Sequence, residues 1–126
     1  MEKYRIKSLL QRLFGFRTYL FVYALYGIRR TLQHKCGVGF AYFIDLIPNR
    51  GIVLDIGANI GTTAVPIARL KKKIELHAYE PIKENFSTLK KVAALYRVHN
   101  LRLFNLALGN VSANMKMIMP VIHKAR

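Results

Sequence analysis

A chain of 126 residues with 52% apolar side chains is long enough to bury a core, which fits one globular domain and excludes a disordered chain. Its 21 Lys and Arg against 6 acids give a formal charge of +15, which favours anionic partners but says nothing about fold. Cys36 stands alone and His34, His77, His99 and His123 lack metal-ligand spacing, so an internal disulfide and a cysteine-based zinc site are excluded.

Residues 1–47 read as a basic, amphipathic, helical N-terminal extension. Ile6, Leu9, Leu10, Leu13 and Phe14 recur at helical spacing, with Lys3, Lys7, Gln11 and Arg12 between them. A second helical stretch follows around Thr18 to Gln33. Its apolar run, Thr18 to Ile28, is shorter than the roughly 20 residues that a membrane span needs. Arg29-Arg30 follows with no small-x-small cleavage site, which argues against a signal peptide. We read these helices as a cap packed on the main domain. The competing reading is a basic helix lying on an anionic membrane. With a single cysteine, the expected setting is cytoplasmic, with peripheral contact at the inner membrane surface under that second reading.

Cys36-Gly37-Val38-Gly39 reads as a break, Ala41 to Ile47 as a short helix, and Pro48-Asn49-Arg50-Gly51 as a turn. Residues 48–126 then form the main domain. Ile52 to Ile56 is a short buried strand, Gly57 to Gly61 a turn, and Thr62 to Leu70 a helix. Thr62 or Thr63 can cap that helix, and Pro66 falls near its first turn, where a missing N–H does least harm. Lys71 to Lys73 suit its negative C-terminal end. Ile74 to Tyr79 is a second strand. Ile82, Phe86, Leu89, Ala93 and Tyr96 line one face of a second helix, with Asn100 as its C-terminal cap. Leu101 to Ala107 is a third strand, and Met115 to Ile122 a weaker, outlying fourth. Strand, helix, strand, helix, strand predicts an α/β fold with a parallel sheet.

The strongest chemical signal is Val53-Leu54-Asp55-Ile56-Gly57-Ala58-Asn59-Ile60-Gly61, a strand that delivers a glycine turn to a helix. A carboxylate at the end of a buried strand is costly unless paired. Asp55 either serves the backbone of its own loop or receives a ligand's ammonium group. Glu80, at the end of the second strand, stands where doubly wound folds place an acid for ribose hydroxyls. Its bland alternative is an ordinary loop glutamate. No G-K-[ST] follows the glycines, which excludes a P-loop. A dinucleotide site would prefer a middle glycine where Ala58-Asn59 stand, and Asp55 would repel its pyrophosphate. S-adenosylmethionine, without phosphate, tolerates that acid.

Asp55-Ile56-Gly57-Ala58-Asn59-Ile60-Gly61, then Tyr79-Glu80-Pro81, then Asn105-Leu106-Ala107-Leu108-Gly109 resemble the FkbM-type methyltransferase family over about Leu46 to Val121. The resemblance implies a Rossmann-like class I methyltransferase fold, S-adenosylmethionine as cofactor, and O-methylation of a sugar or small natural-product hydroxyl. It implies that Asp55, Gly57, Ala58, Asn59 and Gly61 cradle the methionine part. Glu80 would then hold the ribose, Pro81-Ile82 would lie beside the adenine, and Ala107 would approach it from the third strand. Class I methyltransferases continue with further strands beyond the first, and those later segments line the substrate pocket. The sequence here is therefore expected to be a fold truncated after about its third strand, with doubtful activity alone. An unpaired edge on Ile52 to Ile56 would invite self-association.

No catalytic base can be named in this segment, since His123 is a lone histidine near a terminus. Two other functions stay open. One is an RNA-directed methyltransferase, prompted by the charge, although the basic residues concentrate in the N-terminal helices and no RNA-binding motif is present, which makes nucleic acid the weaker partner. The other is a non-catalytic remnant that binds a membrane surface or a partner protein.

Overall fold

The computed structural model describes residues 15–33, 37–114 and 116. The amphipathic segment from Ile6 to Phe14 and the fourth strand expected over Met115 to Ile122 lie outside the described residues, Lys116 apart, which is not in a strand. Helices α1 (Phe16–Leu32) and α2 (Val38–Leu46) precede strand β1 (Gly51–Ile56). Helix α3 (Ala64–Leu70), strand β2 (Ile74–Tyr79), helix α4 (Lys83–Leu95) and strand β3 (Leu101–Phe104) follow. The chain is thus α/β, with a parallel sheet in the order β1-β2-β3. No helix among the described residues is long and apolar enough to cross a membrane.

Register shows how the alternation of side chains divides the sheet. Val53 pairs with Leu76 and Leu76 with Leu101, so one face carries the apolar inward set of all three strands. Ile74, Leu76 and Ala78 are buried there in one cluster with Val65 and Ile67 of α3 and Leu89, Val92 and Ala93 of α4. Fully burying a side chain such as Leu89 or Val92 is worth roughly 1.5–3 kcal/mol. Leu20, Ala24 and Ile28 of α1 and Ile44 of α2 join the same cluster, so both N-terminal helices are built into the core. A Cβ on Gly27 of α1 would stand 2.7 Å from Thr62 Cγ2, so that helix seats directly on the loop after β1.

The other face is open. Ile52, Leu54 and Ile56 are each more than half exposed, and β1 lies at the sheet edge among the described residues. The expectation of a buried first strand therefore needs correcting: only its Val53 and Asp55 side is covered, because the helices that join the core pack against that face. On the open face Glu75 Oε1 contacts His77 Nε2 at 2.6 Å and Arg102 Nε at 2.7 Å, while Tyr79 stacks on Phe104.

Four local expectations also change. The break at Cys36 to Gly39 is shorter than expected, since α2 already begins at Val38. Neither threonine caps α3. Its third residue is Pro66, which has no N–H to offer, and the Val65 N–H already donates to the Gly61 carbonyl at 3.1 Å. Helix α4 closes at Tyr96 on a left-handed Arg97 (φ 50°), with the Val98 N–H donating to the Ala93 carbonyl. Asn100 instead ties two strand starts together, its Nδ2 donating to the carbonyls of Lys71 and Ile74. Strand β3 stops at Phe104 rather than Ala107, because its neighbour β2 runs into Pro81, which cannot continue a ladder.

Candidate functional site

The carboxyl ends of β1 and β2 bring together most of the residues expected to form a site. Gly57, Ala58, Asn59 and Gly61 form the loop after β1, and Glu80, Pro81 and Ile82 form the connection from β2 to α4. Two backbone anchors bind the loops to each other: the N–H groups of Gly57 and Ala58 both donate to the Tyr79 carbonyl at 2.9 Å.

The two glycines answer different demands. Gly57 has φ 85°, and a Cβ there would meet nothing within 4 Å, so the turn needs its backbone angle and leaves open space above. Gly61 has φ 89°, but its Cβ would come within 2.8 Å of Leu89 Cδ1 and 3.1 Å of Val92 Cγ2. It lets the loop press against α4. Asn59, also left-handed at φ 52°, is a residue type that tolerates this region.

Glu80 is buried, with 4% of its surface exposed, and both carboxylate oxygens are engaged. Oε2 accepts the Asn59 N–H at 2.8 Å and Oε1 accepts the Ile82 N–H at 2.9 Å. The side chain therefore staples the β1 loop to the start of α4. Each oxygen keeps a lone-pair direction for a further donor. Asn105, to which the sequence alone assigns no role, supports this staple. Its Nδ2 donates to the Glu80 carbonyl at 2.7 Å and the Pro81 carbonyl at 3.1 Å. The only signal for it in the sequence is an amide side chain directly after a strand.

Asp55 differs from Glu80. Its Oδ2 is buried and has no hydrogen-bond partner, and burial pushes its carboxyl above the usual carboxylate range. The first alternative for Asp55, service to the backbone of its own loop, finds no support at this oxygen. A buried, unpartnered acceptor costs roughly 1–3 kcal/mol, a cost that a cationic donor would remove. The N–H groups of Gly57, Ala58, Asn59 and Gly61 are by contrast all taken by protein acceptors. The loop thus offers a ligand shape and one carboxylate rather than a nest of donors for an anion.

Ala107, expected to approach from the third strand, lies three residues past the end of β3, exposed and outside any strand. A cleft of about 390 Å³ adjoins the loop at Thr62 and Thr63 and is lined by Tyr23, Tyr26 and Arg30 of α1 and Phe40 of α2. A cleft of about 630 Å³ lies at the opposite end of the sheet, away from this chemistry. The sequence matches no protein-family model and no curated protein.

Proposed function

We propose that this chain is the cofactor-binding part of a class I, S-adenosylmethionine-dependent methyltransferase of the FkbM type, acting on a hydroxyl of a sugar or small natural product. The observation that carries the reading is the buried, unpartnered Asp55 Oδ2 near the carboxyl end of β1, two residues before Gly57 and the open space over it. That oxygen fits the ammonium group of the methionine part. The occupied loop N–H groups and the unpaired acid both disfavour a pyrophosphate in the same place. Glu80 fits the ribose through its remaining lone pairs, fixed in place by Asn59 and Ile82. Pro81 and Ile82 supply the adjoining surface for adenine.

When bound, S-adenosylmethionine supplies an electrophilic methyl group on a positively charged sulfur. The work left to these residues is alignment of that group. Asp55 orients one end of the ligand, Glu80 the other, and the Tyr79 carbonyl holds the loop between them at a fixed height. A hydroxyl acceptor also needs a base, which these residues do not provide.

Calorimetric titration of the full chain with S-adenosylhomocysteine tests the reading. Saturable binding that Asp55→Asn weakens at least roughly tenfold is expected, in line with a charge-assisted hydrogen bond. No heat of binding to a chain with a cooperative melting transition would refute it.

A further inference from the structure

We propose that the end of the sheet opposite the glycine loop is a docking surface for an anionic phospholipid membrane. This inference stands independently of the methyl-donor reading. Three helices end there, at Leu32, Leu70 and Leu95, around the cleft of about 630 Å³. The α3–β2 turn contributes Lys72, with exposed Lys73 beside it, and the α4–β3 turn contributes Arg97 and His99. Pairing of β2 with β3 brings those two turns side by side.

The side chains of Lys72, Lys73, Arg97 and His99 make no hydrogen bond, ion pair or ring contact among the described residues. No acidic residue lines the cleft. Arg69 is different: its Nη1 donates to the Tyr96 carbonyl at 3.2 Å and its guanidinium lies 5.7 Å from the Tyr96 ring centre, so it braces the wall. Lys72, Lys73 and Arg97, unpaired among the described residues, form a positive surface that complements an anionic one.

Two exposed leucines decide which anionic partner. Leu70 is 44% exposed and Leu95 58% exposed, each at the last position of its helix and each lining the cleft. A phosphate backbone would engage the cations and leave both leucines in water. A membrane interface takes both, with the cations at the headgroups and the leucines at the acyl boundary.

Sedimentation of the full chain with vesicles of phosphatidylglycerol and phosphatidylcholine, and with phosphatidylcholine alone, tests this. Binding only to the anionic vesicles is expected. Lys72→Gln with Arg97→Gln should lower the partition coefficient roughly 30-fold, at roughly fivefold per cation near a charged leaflet. Leu95→Ser should lower it severalfold by itself. All three positions are exposed, so the variants should keep the parent's melting profile, and Lys72→Gln alone serves if the pair does not. Unchanged vesicle binding in the charge variant overturns the proposal and assigns any binding to another surface. Loss of binding on charge removal, with no effect of Leu95→Ser and equal affinity for single-stranded RNA, overturns it in favour of nucleic acid.

Discussion

The two ends of the sheet hold charged residues of opposite kind and tolerate them differently. At the carboxyl end stand Asp55, the next-to-last residue of β1, and Glu80, directly after β2, while at the amino end Lys72 and Arg97 line a cleft that no acid lines, with Lys73 beside it. The cations are exposed, so water satisfies them and their presence costs little. The acids are withdrawn from water, and each needs a partner. Glu80 has two backbone donors, whereas one oxygen of Asp55 has none. An uncompensated buried group is therefore the more informative of the two features, because folding alone gives no reason to keep it. The basic end acquires a functional meaning only through the exposed leucines beside it.

The largest effect expected on this contrast comes from Gly61→Val. The new side chain must enter space held by Leu89 and Val92 from a left-handed backbone, so it should cost roughly 3 kcal/mol or more and dismantle the acidic end. Urea denaturation would measure it. Next comes Glu80→Ala, which orphans the N–H groups of Asn59 and Ile82 and should cost roughly 2–4 kcal/mol, with cofactor binding lost as well. Glu80→Gln keeps one acceptor and should cost clearly less in the same melts.

Asp55→Asn is the smallest change in stability and has the opposite sign. Burial raises the folded-state value of this carboxyl above its ordinary 3.8, so the folded chain holds the proton more tightly than the unfolded one. The ionised carboxylate thus lowers stability above the raised value, and the penalty fades as pH falls toward 3.8. The variant should be more stable than the parent at neutral pH, with the two melting curves converging in acid. It should also lose ligand affinity. A variant that is less stable at neutral pH would mean that Asp55 serves the loop rather than a ligand.

Much of this contrast could be read before the structure, and the reasons are specific. The bounds of β2, Ile74 to Tyr79, are legible because a short apolar run alternates between the lysine turn and Pro81. The glycine loop and Glu80 were placed at adjacent strand ends by the same strand–turn–helix logic. Sequence could not show that Glu80 is already stapled to two N–H groups, since those donors lie 21 residues before it and 2 after. It also could not show that Asn100 bonds across to Lys71 and Ile74, or that Ala107 falls beyond the ladder, because both depend on which strand lies alongside. The basic cleft is invisible in the sequence for a similar reason. Lys72 and Arg97 are 25 positions apart in the chain, and only the pairing of β2 with β3 joins their turns.

The central claim is that the acidic end, and not the basic one, receives S-adenosylmethionine. A two-dimensional amide NMR spectrum of the full chain, with and without S-adenosylhomocysteine, tests it most directly. Shifts confined to Gly57, Ala58, Gly61, Glu80 and Ile82, with Lys72 and Arg97 unmoved, are the predicted result. A dispersed spectrum that does not respond to the ligand, or that responds only around Arg97, would contradict it.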